Sequence, residues 1–183
     1  MIDSKQAAEA LADIDDIVQR LRQSQLYELA SLAAIWWGVL VFAGNVVTWA
    51  WPTYAVYAWP AVDILGVGGL IAFRVFSPPH AQGAGFDIRL VLVFALFFAF
   101  GYICTVVLGH FGPRELGAFW PIYFMLFYML AGLWFGTAFV AIGLVITVLT
   151  LIGYFTIGAA FPLWMAFVNG GGLILGGLWM RRI

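Results

Sequence analysis

Six apolar stretches, each close to the length that crosses a bilayer, take up most of this chain. A hydrocarbon core about 30 Å thick needs about 20 helical residues at about 1.5 Å each. Stretches of that size lie at about 29–51, 54–76, 90–109, 118–136, 138–158 and 160–180. Turn signals separate them. Trp51-Pro52-Thr53 stands between the first two. Ser77-Pro78-Pro79 stops the second, because proline disfavours the helical conformation in the residue before it. Gly112-Pro113 breaks the chain after the third. The run from Ala131 to Thr137 carries no charge, proline or asparagine. One helix over 118–158 would still be about twice one span, so a tight turn near Gly136 is expected. The pattern predicts an all-α, polytopic integral membrane protein with six transmembrane helices in a compact bundle over residues 28–183.

Residues 1–27 read differently. Ser4 is placed to cap a helix, and no Gly or Pro follows until Gly38. Ala7, Leu11, Ile14, Val18 and Leu21 recur at heptad-like spacing, while Glu9, Asp13, Asp15, Asp16, Gln19, Arg20 and Arg22 cover the other faces. An amphipathic helix of this kind must cover its stripe. The inner membrane face, its own bundle, a second copy of the chain and a partner protein are all open to it. Three aspartates argue against flat adsorption to anionic lipid, which favours Lys and Arg. Leu11, Ile14, Val18 and Leu21 are therefore the candidate oligomerisation or docking residues. This polar and acidic beginning does not resemble a cleavable signal peptide, so the first span is expected to act as an internal signal-anchor.

Charge sets the orientation. Lys5, Arg20, Arg22, Arg74, Arg89, Arg181 and Arg182 fall on one side of a six-span chain, and only Arg114 falls on the other. Basic residues favour the cytoplasmic side. Both termini are expected there, in an inner (plasma) membrane. Tryptophans such as Trp49, Trp51 and Trp120 near the outer boundary, and Trp36 and Trp179 near the inner one, suit headgroup level. Composition agrees: 64% of residues are hydrophobic, 9% are charged and the mean hydropathy is +1.02. That leaves too little polar surface for a soluble domain, and the near-neutral charge gives no reason to expect nucleic acid.

Glycine is abundant within the spans. Gly66 and Gly69, Gly132 and Gly136, and Gly172 and Gly176 sit at spacings that let helix backbones approach closely. The glycines of the second and sixth spans suggest that these two helices are the central ones.

Polar side chains gather toward the outer half. Asn45, Asp63 and Asn169 each lie about 10 Å inside the outer end of a different span. Asp63 is the acid set well inside a span, and it must face a polar interior, find a partner or take up a proton. With Tyr102 and Tyr154, these residues form a candidate substrate or ion vestibule. Catalysis is not expected. His80 and His110 fall on opposite faces, Cys104 is the single cysteine, and no metalloprotease, nucleophile-elbow or phosphate-loop motif is present. No metal or other cofactor is called for. Two function classes remain. One is a small transporter or channel subunit for a small solute or cation, centred on Asp63. The other is a non-catalytic membrane adaptor or sensor whose N-terminal helix mediates oligomerisation or partner docking. Both imply the lipid bilayer and either further copies of the chain or a membrane or cytoplasmic protein as partners.

The orientation is open to a direct test. An alkaline phosphatase reporter fused after Gly112 is expected to be active, and one fused after Pro79 inactive. The reverse pattern would invert the topology.

Overall fold

The computed structural model describes residues 4–76, 88–109 and 111–182, with the side chains at 4–13, 15–23, 25–26, 74, 76 and 88–91 outside the description. All regular structure among these residues is helical. The elements are α1 (Ser4–Ala50), a 3-10 turn (Pro52–Tyr54), α2 (Ala55–Phe76), α3 (Ile88–Val107), α4 (Pro113–Phe135) and α5 (Thr137–Thr156). A final rod follows, made of α6 (Phe161–Met165), a π-helical segment (Ala166–Gly171) and α7 (Gly172–Met180).

Five helical stretches are long and apolar enough to cross a membrane: Tyr27–Ala50, Pro52–Phe73, Pro113–Phe135, Thr137–Thr156 and Phe161–Met180. They fit a multi-pass membrane protein. α3 is 20 residues long, about 30 Å at about 1.5 Å per residue, and the described part of its apolar stretch is Leu92–Val107.

α1 is one helix of 47 residues. It passes residues 27 and 28 without a break and extends well beyond its apolar stretch. Helix propensity explains this, since no residue before Gly38 interrupts hydrogen bonding. α4 starts five residues before the expected boundary. Pro113 occupies its first helical position, where the missing N–H costs nothing, and Glu115 sits in the first turn.

The tight turn near Gly136 is a single residue. Gly136 has φ 134° and ψ 159°, and it both closes α4 and opens α5. Only glycine adopts this conformation without strain. Its N–H donates to the Gly132 carbonyl, and its carbonyl accepts from the Phe139 N–H. Gly136 therefore makes the hairpin, whereas Gly132 and Gly143 let α4 and α5 lie close, against Val140 and Met129.

The final rod lies at the centre. Its Gly170 and Gly177 face α1, where a methyl group on Gly170 would stand 2.7 Å from Phe42 backbone atoms. Its Gly172 and Gly176 face Ile146 and Ile142 of α5. Met125, Phe139, Ile142, Ile146, Leu173 and Met180 fill the core between these helices. α2 is not central, contrary to what its glycines suggested. Half of the rod's apolar stretch is buried, against 11% for α2. Gly66 and Gly69 serve only to seat α2 on Trp37 and Trp36 of α1, and Trp36 Nε1 donates to the Leu65 carbonyl at 3.2 Å. α3 is likewise peripheral. It holds to α4 through Phe97 stacked on Tyr123 at 4.0 Å, with the Tyr123 hydroxyl donating to the Phe97 carbonyl at 2.9 Å.

Gly136→Ala is expected to destabilise the α4–α5 hairpin by about 1–3 kcal/mol, the usual cost of holding a side chain in such a backbone region. Thermal unfolding in detergent reads this. An unchanged midpoint would contradict the turn geometry.

Candidate functional site

Polar groups inside a membrane bundle normally satisfy themselves on the nearest carbonyl, and most here do. Thr48, Thr147 and Thr156 each donate to the carbonyl four residues back, at 2.8, 2.7 and 2.6 Å. Buried Asn45 does the same, its Nδ2 donating to the Val41 carbonyl at 2.9 Å. Two buried atoms among the described residues have no partner: Thr150 Oγ1 and Asn169 Oδ1.

These two lie at one level of the bundle. Ile142 packs on Gly176, Ile146 on Gly172 and Gly153 on Trp164, so the antiparallel register sets Thr150 opposite Phe167 and Val168, next to Asn169. Gly132 meets Phe139 and Gly143 meets Met129, which sets Thr150 near the level of Pro121 in α4. Pro121 has no N–H to offer the Gly117 carbonyl. Asn169 itself sits within the π-helical segment, where the hydrogen bonds of the rod are re-spaced. Hydrogen bonding in α4, α5 and the rod is thus imperfect at one depth, and the rod is weakest there as a regular helix.

The expected vestibule residues occupy several settings. Asn45 lies on α1, about one turn after the Phe42–Gly170 contact along the chain. Asp63 is half-buried on α2 beside Val62, which packs on Gly44 of α1. No hydrogen bond or ion pair joins Asp63 to another described residue, so no bond ties it to Asn45 or Asn169. Tyr102 is exposed on peripheral α3. Tyr154 is drawn into a different arrangement at the end of α5. Two surface grooves, of about 280 and 440 Å³, have apolar walls, and neither is lined by Asp63, Asn45 or Asn169.

Of the candidate docking residues, Ile14 is exposed. The side chains of Leu11, Val18 and Leu21 lie outside the described residues.

Two arginines join elements of the bundle. Arg114 reaches from the first turn of α4 to the end of α5. It donates to the Tyr154 and Ile157 carbonyls at 2.5 Å and to the Gly158 carbonyl at 3.3 Å. Its guanidinium also lies 5.3 Å from the centroids of Tyr154 and Phe161. A cation on the last carbonyls of a helix satisfies groups that have no partner within it and complements the helix dipole. The sequence held a clue: Ile157-Gly158-Ala159-Ala160 offers no polar side chain to cap α5, and Arg114 is the one arginine or lysine between Arg89 and Arg181. At the opposite end, buried Ser31 of α1 donates to the Gly177 carbonyl at 2.6 Å and accepts from Arg181 Nε at 3.1 Å.

No protein-family model matches the chain, and no curated protein or solved structure matches it significantly.

Because the Thr150 hydroxyl has no protein partner, Thr150→Val removes a buried polar group with little change in shape. T150V is expected to gain about 1 kcal/mol, or roughly 2–4 °C in melting temperature. T147V, which loses the bond to Gly143, is expected to gain nothing. Equal effects of the two substitutions would contradict the assignment.

Proposed function

We propose that this chain is a membrane adaptor or sensor with six spans, both termini on the cytoplasmic side of a plasma membrane. Its N-terminal helical segment passes the state of the bundle to a partner protein or to a second copy of the chain. The observation that carries this reading is the continuity of α1. One unbroken helix includes both the segment outside the apolar stretch and the surface that packs on the central rod. Displacing α1 at Gly38, Ser31 or Phe42 therefore displaces residues 4–26 with it. The rod supplies the matching flexibility, since its π-helical segment lies where hydrogen bonding is least regular. A shift between α and π spacing there would move Gly177 and Arg181 against Ser31.

A small-solute or cation transporter is the second reading, and Asp63 favours it. A half-buried carboxylate within a span that makes no hydrogen bond or ion pair with the described residues is costly, and such acids often serve a moving ion or proton. The adaptor reading is preferred because the polar groups of the spans do not form one hydrogen-bonded cluster around this acid.

Leu11→Asp with Val18→Asp is expected to abolish partner capture or self-association while the spans still insert, because it puts charge on the face that must be covered. Native mass spectrometry and pull-down read the outcome, and unchanged assembly would contradict the adaptor reading. Asp63→Asn separates the alternatives. The adaptor reading expects it to leave assembly unchanged and proteoliposomes of either form to show no solute-dependent flux. Flux in the parent that D63N removes would establish the transport reading instead.

A further inference from the structure

The larger groove, about 440 Å³, runs along the seam between α5 and the central rod. Ala141, Ile142 and Val145 line it at one end, and Phe167 and Val168 at the other. On the rod it extends from Phe167 to Trp179, which is about 18 Å at 1.5 Å per residue. Half of a bilayer core is about 15 Å. The groove therefore matches the depth of one leaflet. Glycines at 172 and 176 help form it, because neither carries a side chain into the seam.

Its shallow end is marked by charge. Trp179 lines the groove, and Arg182 follows three residues later, at the end of the rod. Arg181 is adjacent. Both arginines are exposed, and no acid lies in an ion pair with either among the described residues. Arg181 spends its Nε on Ser31, which leaves the terminal nitrogens of its guanidinium as further donors. An apolar channel one leaflet deep thus ends at Trp179, one helical turn before exposed Arg182, with Arg181 beside it on the side of α1.

We infer that this groove is a binding site for an anionic phospholipid, with one acyl chain along the seam and the phosphate held by Arg181 and Arg182. Arginine matches phosphate geometry by presenting paired N–H donors. The site also explains how a membrane component reaches α1. Arg181 contacts both the lipid phosphate and Ser31, and Ser31 belongs to the helix that continues to residue 4. This inference deepens the sensor reading and rests on it for that coupling, whereas the binding itself rests on the groove and its charges.

The test uses the full chain in nanodiscs of equal phosphatidylglycerol and phosphatidylcholine, with retained lipid counted by native mass spectrometry. The parent protein is expected to retain phosphatidylglycerol preferentially. Each basic residue at a membrane surface contributes about fivefold. Arg182→Gln is expected to lower the preference by about that factor, Arg182→Lys to keep most of it, and R181Q/R182Q to abolish it. Val145 is more than half exposed, so Val145→Trp fills the groove without displacing core residues and is expected to reduce retained lipid. Equal retention of the two lipids by the parent overturns the inference. So does a preference that survives R181Q/R182Q, or full retention by V145W. Partner docking is measured separately by pull-down. Lost lipid preference with docking intact overturns this inference alone, and the converse overturns only the docking reading.

Discussion

The close antiparallel approach of α1 to the central rod governs the rest of the fold. In a membrane, burying apolar surface gives little preference for one helix over lipid, so packing depends on how near two backbones can come. Gly38, Gly170 and Gly177 remove the side chains that would hold these helices apart. At Gly177 the gap is small enough for buried Ser31 to donate to a backbone carbonyl of the other helix. α5 then packs on the other side of the rod through Gly172 and Gly176, and α4 folds onto α5 at the single-residue turn. α2 and α3 are added at the margins, each seated by aromatic side chains on one principal neighbour.

This arrangement has a mechanical consequence. The rod is tied at its C-terminal end through Arg181 and Ser31, and the loop that precedes it is tied to α4 through Arg114. Between those ties lies the π-helical segment, with two buried oxygens that find no protein partner beside it. A π-helical stretch within a longer helix frequently marks a functional site. α1 packs directly on the rod and reaches well beyond the apolar stretch, so the proposed sensor would carry a small change within the membrane to the N-terminal segment. A lipid held at Arg181 and Arg182 would act at the tie between Arg181 and Ser31.

Much of the architecture was legible from pattern alone. The all-helical, multi-pass character followed from runs of apolar residues, and Gly136 was recognisable from length, because no single helix could hold the stretch around it. Helix order within the bundle was not legible. Gly66 and Gly69 look like Gly172 and Gly176 in sequence, yet the first pair receives tryptophans and the second pair receives isoleucines of the core. Spacing shows that a helix has a thin face, but not which neighbour meets it. The same limit applies to polar residues. Depth put Asn45, Asp63 and Asn169 at one level, but depth carries no information about angle around the bundle. Nothing in the sequence sets Thr150 apart from Thr147; its full burial and its missing backbone bond do so in the fold.

The contact between α1 and the rod is tested most directly by one methyl group placed in each of two settings. Gly170→Ala puts it against the Phe42 backbone, whereas Gly68→Ala on α2 puts it where nothing lies within 4 Å. Overpacking of a close contact costs about 1–3 kcal/mol, or roughly 2–4 °C of melting temperature for each kcal/mol in a chain of this size. Thermal unfolding in detergent is expected to show a clear loss for G170A and no loss for G68A. Equal midpoints for the two variants would contradict the central position of the rod and the coupling built on it.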